Sequence, residues 1–360
     1  MTMYYRTYYT RAQQLQLTIN DLYAGITTPQ HTNSNAKTIR VSEIPPRWRH
    51  DSEHLNETLT QFFSTHIVDK TYTDYHIPKN SGGYRLISAP SDELKEVQKE
   101  LYNILVRWGA YAHDAAYAYV KNRTCLSAIE RHKAKNTNYF YKFDLHDFFP
   151  SCTTALLQQQ LKQVYPFCML IDEHLDLLID IATYNGALPQ GSPLSPLLCN
   201  MVLIPFDYAM FYSIRHFDGV YTRYADDILI SFTDRKQLSF IARLINNHLP
   251  EGLTLNESKS RCGSLAGHNY NLGLVLNKER NITIGHKKKM ELKAKINNFI
   301  FDFTNQNYWS IIDTQVLQGE INYFKQIEPD YANFVINRLE QKHHSRSLSS
   351  MFADIISRRV

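Results

Sequence analysis

Two adjacent carboxylates inside an otherwise apolar segment constrain this chain more than any other feature of its sequence. Residues 220–232 read VYTRYADDILISF, which predicts two short strands with a turn at Tyr224-Ala225-Asp226-Asp227. Carboxylates that close together repel each other and need either solvent or a cation. Two interpretations follow: a solvated turn, in which Asp is common, or a site for a divalent ion that prefers oxygen ligands.

The rest of the sequence predicts an α+β globular protein. Of 360 residues, 43% are hydrophobic and 21% are charged, a balance that argues against a mainly disordered chain. Strand and helix patterns mix without strict alternation. No apolar run reaches the ~18 residues that a membrane span needs, so we expect no membrane contact. Five scattered cysteines without a C-x-x-C pair predict reduced thiols and a cytoplasmic location.

A second acidic segment and a Pro/Gly-rich loop accompany the paired carboxylates. Residues 139–151 read YFYKFDLHDFFPS, a strand that ends at Asp144. Asp144 is either a reacting group at the strand end or a helix N-cap. Residues 188–196 read LPQGSPLSP, where Gly191 permits a close backbone approach and Gln190 offers a donor and an acceptor. A simple linker is the alternative. We expect one apolar helix over residues 197–211 after this loop.

The order and spacing of FDLHDFF, LPQGSPLSP and YADD resemble those of the reverse transcriptase family. The resemblance extends over residues 72–340 or so. Lys79 and Arg85 flank a Gly82-Gly83 turn, as in the family's fingers hairpin, and Lys259 follows the YADD hairpin as a lysine of the family does. Residues 271–274 (NLGL) resemble its primer-grip hairpin. The fold implied is a right-hand polymerase with fingers, an antiparallel palm sheet with packed helices, and a helical thumb.

The resemblance also implies a domain order along the chain. Residues 351–356, near the C-terminus, could form a short amphipathic helix. Such a helix could pack on the protein, bind a partner or fray. The expected segments are the N-terminal region and fingers hairpin (1–90), a helix and the first palm strand (91–154), fingers helices (155–190), the palm (191–280), the thumb (281–342) and a C-terminal tail (343–360).

Within the family, the sequence is most similar to bacterial enzymes: retron reverse transcriptases, group II intron relatives and defence-associated groups. Only about 20 residues follow the thumb, which disfavours a group II intron protein carrying further segments. Retron enzymes carry Asn-Ala-x-x-His before the first aspartate, whereas residues 126–132 read LSAIERH. They carry Val-Thr-Gly at the primer grip, where this chain has NLG at 271–273. These departures favour a neighbouring, defence-associated class that works with its own noncoding RNA.

The activity implied is that of an RNA-directed DNA polymerase, a nucleotidyltransferase that adds dNTPs to a 3′-hydroxyl. Two Mg²⁺ ions ~3.5–4 Å apart stabilise charge on the attacking and leaving oxygens in such reactions, and Mn²⁺ is a possible substitute. The catalytic residues implied are Asp144, Asp226, Asp227 and Lys259. The metal ligands implied are the three aspartates, with Asp227 the weaker or more distant one, and the backbone carbonyl of Leu145. Lys259 would protonate the pyrophosphate leaving group.

Further residues are assigned to nucleotide and primer contacts on the same resemblance. Phe149 takes the position of the family's steric gate against a ribose 2′-hydroxyl, although simple core packing, or a swap with Phe148, is an alternative. Lys289 and Lys293 lie four apart on a basic helix, which suits phosphate contacts or a merely soluble face. The residues expected to bind dNTP are Lys79, Arg85, Phe149, Gln190 and Gly191, and those expected on primer and template are Tyr224, Leu272, Gly273, Lys289 and Lys293.

The expected partners are an RNA template, encoded nearby as a noncoding RNA, together with dNTPs and the DNA product; a partner protein or a second copy is possible. The antiviral role is an expectation by analogy. Alternatives are template-independent or protein-primed synthesis on the same fold, and a true retron enzyme that makes RNA-linked DNA. A scaffold that only holds RNA is disfavoured, because all three carboxylates are present.

Overall fold

The computed structural model describes residues 46–79, 82–267 and 270–357, and divides into two compact units. The first unit comprises residues up to 111 together with 153–195, and the second comprises 112–152 and 196–360. Residues 1–45, which the sequence assigns to an N-terminal region, lie outside the described residues. So do Asn80 and Ser81 at the tip of the expected fingers hairpin.

The elements mix helices with antiparallel strands, as the α+β prediction requires. The helices are α1 (Pro46–Thr65), α2 (Asp92–Arg107), α3 (Cys125–Ala134), α4 (Phe148–Ser151), α5 (Thr154–Leu161), α6 (Asp172–Ala182), α7 (Ser195–Val202), α8 (Ile204–His216), α9 (Leu238–His248), α10 (His286–Thr304), α11 (Ile311–Ile327), α12 (Pro329–Lys342) and α13 (Leu348–Ser357). The strands are β1 (Tyr72–Pro78), β2 (Tyr84–Pro90), β3 (Tyr139–Asp144), β4 (Val220–Tyr224), β5 (Asp227–Phe232), β6 (Arg261–Ser264), β7 (Tyr270–Asn271), β8 (Leu274–Leu276) and β9 (Ile282–Thr283).

The first unit is built on the β1–β2 hairpin and the helix that follows it. The two strands pair antiparallel over seven residues each. Ser91 then caps α2, with its side chain accepting a bond from the backbone N–H of Leu94 at 3.3 Å. Asp92 and Glu93 in the first turn favour this end of the helix electrostatically. The apolar residues of α2 recur at helical spacing from Leu94 to Leu105 and are buried.

A four-stranded antiparallel sheet, in the order β4-β5-β3-β6, forms the centre of the second unit. Five of the six residues of β5 are buried, so this strand lies in the core. The strand β3 pairs with β5 on one side and with β6 on the other. The C-terminal end of β3 therefore meets the N-terminal end of β5, and both of these ends carry aspartates.

The expected apolar helix over residues 197–211 is wrong as a single element. The structure has α7 ending at Val202 and α8 starting at Ile204, bent by 49° at the break. Pro205 lies in the first turn of α8, where its missing N–H costs nothing, but it has no N–H to continue a helix from α7. A proline also begins the helix after α11, since α11 ends at Ile327 and α12 begins at Pro329.

The last helix packs on the protein's own body. Met351, Phe352 and Ile355 of α13 are each less than 5% exposed and belong to the core of α10, α11 and α12. The ring of Phe352 lies 4.9 Å from that of Phe299, centroid to centroid. Helix α13 is thus part of the helical core.

No single described helix has both the length and the apolar character that a membrane span requires. The bent pair α7 and α8 meets the requirement only when the two are taken together.

Candidate catalytic centre

Three aspartates from two distant segments lie at one end of the central sheet. Asp144, the last residue of β3, is directly opposite Asp227, the first residue of β5. Opposite residues of an antiparallel pair project from the same face with Cβ atoms ~4.5–5.5 Å apart. The backbone N–H of Leu145 donates to the carbonyl of Asp226 at 3.0 Å, which places the third aspartate beside the same strand end.

A tight turn sets the direction of Asp226. Tyr224 ends β4 and Asp227 starts β5, so only Ala225 and Asp226 make the connection. Ala225 is 6% exposed and has φ of 56°, in the left-handed region that favours glycine. A buried alanine in this conformation must be held by its surroundings.

A loop after α9 brings Lys259 to the aspartates. The N–H of Asn256 donates to the carbonyl of Asp144 at 2.7 Å, and the N–H of His146 donates to the carbonyl of Thr254 at 2.8 Å. The next turn is a short 3₁₀ helix that ends at Lys259. Lys259 Nζ donates to Asp144 Oδ2 at 2.9 Å.

A second lysine, Lys142, enters the centre from β3 itself. Lys142 and Asp144 share one face of the strand, because side chains alternate along it. Lys142 Nζ lies 2.7 Å from Asp227 Oδ1. The angles of this contact fall outside hydrogen-bond geometry, so the buried Oδ1 has a cation beside it but no directed donor among the described residues. We regard the contact as an ion pair, since charge attraction needs no fixed angle.

Burial and mutual repulsion shape the electrostatics of the centre. Burial raises the pKa of Asp226 above its usual value, and the Asp227 and Asp144 carboxylates raise it further. The bond to Asp144 raises the pKa of Lys259, and the other two aspartates act in the same direction. All four groups therefore lie within electrostatic reach of one another, and a cation is what such a cluster requires.

The donor set fits a hard divalent ion. Carboxylate oxygens are the ligands that Mg²⁺ prefers, and the buried Asp226 carboxylate lies beside two further carboxylates whose charges repel it. No group of three His, Cys, Asp or Glu side chains among residues 46–79, 82–267 and 270–357 is arranged as a metal cluster. Instead, lysines hold two of the three carboxylates.

A fully buried ion pair holds the turn at Ala225 and Asp226 in place. Arg223 and Asp207 are both 0% exposed, and the guanidinium donates from Nε to Oδ1 at 2.8 Å and from Nη2 to Oδ2 at 2.6 Å. Arg223 Nη1 donates to the carbonyl of Ala225 and to Asn200 Oδ1, both at 3.1 Å. The hydroxyl of Tyr221 donates to Asp207 Oδ1 at 2.5 Å. Helix α8 thus holds the strained residue of the turn through Arg223.

Tyr224 lies in a polar aromatic cluster in front of the turn. Its hydroxyl bonds the thiol of Cys125, and burial raises the pKa of Tyr224 to about 12. Burial likewise raises the pKa of Cys125. Tyr119 and Tyr323 lie close enough to act on the Tyr224 hydroxyl. Tyr224 is therefore fixed by neighbours from α3 and α11, not only by its own strand.

Phe149 is the more accessible ring of the FF pair. Phe148 is 3% exposed and belongs to the core, whereas Phe149 is half-buried and lies 6.1 Å from the ring of Tyr119. Asp147, not Asp144, precedes α4, with φ of 39° and no side-chain capping bond. The N-cap interpretation of Asp144 is therefore wrong, because this residue ends β3 three residues earlier.

Lys79 and Arg85 lie in the first unit, on one face of the β1–β2 hairpin. Arg85 pairs with Ile77, and the backbone N–H of Lys79 donates to the carbonyl of Gly83 at 2.9 Å, which continues the pairing. Alternation then puts both cations on the same side of the ribbon. Both are exposed.

The close approach at Gly191 is to strand β2 of the same unit. Gly191 has φ of 130°, and a Cβ there would lie 2.6 Å from the carbonyl oxygen of Ser88. The N–H of Ser88 donates to the carbonyl of Gln190 at 2.8 Å. Gly191 thus seats the loop on β2, and the side chain of Gln190 stays partly exposed.

The β7–β8 turn is formed by Leu272 and Gly273, whose φ values are 52° and 82°. Lys288 donates to the carbonyl of Gly273 at 3.4 Å and lies 5.5 Å from the Tyr270 ring centroid. Lys288 is absent from the residues that the sequence analysis assigns to primer and template.

Lys289 has partners within the helical region. Its Nζ lies 2.5 Å from Glu328 Oε2 and 4.5 Å from the Tyr331 ring centroid, with 19% of the side chain exposed. Lys293, one turn on, is half-buried. An ion-paired Lys289 has less charge to offer to phosphate than an exposed lysine would have.

Two functional features escaped the sequence reasoning although signals for them existed. Lys142 stands two residues before Asp144, so alternation alone puts it on the same face. Arg223 interrupts an apolar strand, and a charge in such a place requires a buried partner. That partner, Asp207, lies in a helix that reads as apolar.

Comparison with known proteins gives the family. Residues 77–294, more than half of the chain, match the model of the family described as "Reverse transcriptase (RNA-dependent DNA polymerase)". This chain belongs to the reverse transcriptase family. The right-hand polymerase fold and RNA-directed DNA polymerase activity that the motifs imply are thereby confirmed, and an RNA template is its partner.

Bacterial relatives are named as retron enzymes. The Retron Ec83 reverse transcriptase of Escherichia coli is 28% identical over 78% of this chain and 89% of its own length. The Retron Ec86 enzyme of Escherichia coli is 28% identical over 78% and 88%. The Retron Mx65 enzyme of Myxococcus xanthus is 26% identical over 74% and 64%. The prediction of a bacterial, retron-like reverse transcriptase is confirmed.

A telomerase structure from Candida albicans, in complex with a fragment of telomeric RNA, overlaps this chain with a TM-score of 0.45. The identity is 12%, over 85% of this chain and 70% of that one. So distant a likeness adds nothing to the family assignment.

Proposed function

We propose that this reverse transcriptase copies an associated noncoding RNA into DNA in a bacterial antiviral system, in the cytoplasm. The observation that carries the catalytic part is the register of β3 and β5, which sets Asp144 opposite Asp227 and beside Asp226. The cellular part is supported by relatives named as retron enzymes. The departures at 126–132 and 271–273 favour a neighbouring class over a true retron.

Reverse transcriptases generally depend on divalent metal, and we propose two Mg²⁺ ions here, with Mn²⁺ as a substitute. When bound, such ions stabilise charge on the attacking and leaving oxygens. The residues that would hold them are Asp144 and Asp226, with the carbonyl of Leu145, while Asp227 would act on the ions from outside their inner shell. Their support is the buried, mutually repelling carboxylate cluster.

The other residues are assigned to substrate contacts. Lys259 has its pKa raised while bonded to Asp144, and so keeps a proton that it gives to the leaving pyrophosphate. Phe149 is the gate that excludes a ribose 2′-hydroxyl, since it is the accessible ring of its pair. On dNTP we place Lys79, Arg85, Gln190 and Gly191, and on primer and template Tyr224, Leu272, Gly273, Lys289 and Lys293.

We propose that the functional segments follow the order along the chain that the sequence implies. We assign the N-terminal region and fingers hairpin to residues 1–90, a helix and the first palm strand to 91–154, the fingers helices to 155–190, the palm to 191–280, the thumb to 281–342 and the C-terminal tail to 343–360. Support comes from the β1–β2 hairpin in the first unit and from the sheet and helices α10–α12 in the second.

Primer extension on a defined RNA template tests the catalytic proposal. Asp226→Asn is expected to abolish dNTP incorporation while the fold and RNA binding stay intact. Asp218→Asn, which removes an exposed carboxylate paired with Lys135, is the matched control and is expected to extend at the wild-type rate. Synthesis at the wild-type rate by Asp226→Asn would refute the site assignment.

Sequencing the nucleic acid that copurifies with the protein tests the biological proposal. We expect one noncoding RNA, and DNA made from labelled dNTPs that is complementary to it. DNA with no complement in that RNA would favour untemplated synthesis. DNA that migrates with the protein until protease treatment would favour protein priming, and DNA covalently linked to RNA would favour a true retron.

A further inference from the structure

The catalytic centre contains two lysines, and each is paired with a different aspartate. Lys259 Nζ lies 2.9 Å from Asp144 Oδ2, and Lys142 Nζ lies 2.7 Å from Asp227 Oδ1. The charge of Lys259 acts to lower the pKa of Asp226, but Asp226 forms no ion pair in the described parts of the chain. With three carboxylates and two ammonium groups, the centre carries a single net negative charge.

The two lysines differ in how firmly the fold holds them. Lys142 lies within β3, which has paired strands on both sides, and only 19% of its side chain is exposed. Lys259 ends a single 3₁₀ turn in a loop, and 58% of its side chain is exposed. Lys259 therefore has room to leave its carboxylate for water, whereas Lys142 has little.

This inference rests on the metal site proposed above. We propose that the two lysines divide the carboxylates, with Lys142 acting on Asp227 and Lys259 acting on Asp144. Lys142 is a fixed counter-ion that keeps Asp227 out of the metal's inner shell. Lys259 is an exchangeable cation that occupies Asp144 until a divalent ion replaces it. The metal then binds Asp144 and Asp226, and the released Lys259 is free to reach the leaving group.

Charge balance makes this exchange physically reasonable. A divalent ion arriving beside Asp144 and Lys259 together would meet repulsion from the ammonium group, and the departure of Lys259 removes it. The Lys142–Asp227 pair is neutral as a unit, so it neither attracts nor repels the ion strongly. Lys142 is thus a positioning residue that acts through Asp227.

Manganese affinity of the full-length protein, measured by electron paramagnetic resonance without nucleotide or nucleic acid, tests the division. The charge-balanced double variant Lys142→Met/Asp227→Asn is expected to bind Mn²⁺ within about twofold of wild type, because it removes a neutral pair and no ligand. A weakening of about tenfold or more, the size expected when a ligand or a group that supports a ligand is lost, would show that the pair contributes to metal binding and would overturn the role of Lys142.

The same Mn²⁺ affinity measurement also tests whether a divalent ion displaces Lys259 from Asp144. Lys259→Met is expected to tighten Mn²⁺ binding about two- to fivefold, the range that half-exposed ion pairs give. Lys135→Met breaks the exposed pair with Asp218 and is expected to change nothing. An unchanged or weaker affinity in Lys259→Met would overturn the exchange.

Two further readouts separate this proposal from the proposed function and from folding effects. If Asp144→Asn and Asp226→Asn both bind Mn²⁺ as wild type does, the metal site itself fails, whatever the lysines do. In the unmodified protein, limiting acetylation read by mass spectrometry should show Mg²⁺ raising the labelling of Lys259 and leaving that of Lys142 constant. Equal responses of the two lysines would contradict the division without requiring any variant to fold.

Discussion

Removing one partner of the buried Arg223–Asp207 ion pair should lower the free energy of unfolding strongly. Removing both partners together should lower it less. Arg223→Met leaves the Asp207 carboxylate at 0% exposure with Tyr221 as its remaining donor. Removing one partner of a buried ion pair costs about 3–5 kcal/mol, because the other charge stays desolvated and uncompensated. We therefore expect this single variant to lose that much free energy of unfolding.

Replacing the whole group should partly restore stability. In Arg223→Met/Asp207→Leu/Tyr221→Phe, apolar side chains of similar size replace both charges and the hydroxyl, a change that is often neutral or stabilising. Asn200 Oδ1 and the Ala225 carbonyl then lose their donor, at about 1–3 kcal/mol each. The single variant loses the same two bonds and also keeps an uncompensated charge, so we expect the triple variant to be less stable than wild type but more stable than the single variant.

Urea unfolding followed by tryptophan fluorescence and circular dichroism measures these differences, with Lys135→Met as the control that breaks only an exposed pair and costs at most about 1 kcal/mol. The triple variant should also extend primers on the order of tenfold or more slowly, because the Ala225 carbonyl loses its Arg223 donor. A single variant within 1 kcal/mol of wild type, or a triple variant no more stable than the single one, would refute the reasoning.

Three further outcomes are expected. Asp226→Asn should raise the melting temperature at neutral pH, since the ionised carboxylate is what burial disfavours, and this gain should shrink in acid as Asp226 itself protonates; a melting temperature unchanged at pH 7 would contradict the raised pKa. His132, buried between Ser231 and Thr222, has its pKa lowered by burial to about 3. Because only the unfolded chain then binds a proton between pH 6.5 and about 3, wild type should lose about 2 kcal/mol more than His132→Gln between pH 7 and 5 in urea unfolding. Phe149→Ala should incorporate ribonucleotides; unchanged sugar selection would place the gate elsewhere.

The sequence predicted the parts of the site that local patterns control. Alternation predicted the strands on either side of Asp226 and the strand that ends at Asp144. The family motifs then brought these segments together, and the register of β3 and β5 agrees. The helix α2 is likewise set by local signals, namely the helical spacing of its apolar residues and its Ser91 cap.

What escaped prediction depends on contacts between distant segments. Arg223 signals a buried partner, but only the packing of α8 on β4 identifies it as Asp207. Gly191 signals a close approach, but the partner is the Ser88 carbonyl of a strand about 100 residues earlier. The single helix expected over 197–211 failed because tertiary packing accepts a bend where Pro205 allows one.

Affinity cleavage with Fe²⁺ in place of Mg²⁺ tests the central claim most directly, namely that carboxylates far apart in the sequence bind the same metal. With ascorbate and peroxide, bound Fe²⁺ should cut the backbone near residue 144 and near residue 226 in the same preparation, and Asp226→Asn should lose both cuts together. Cutting at only one of the two segments, or at neither, in protein that still extends a primer would contradict the account.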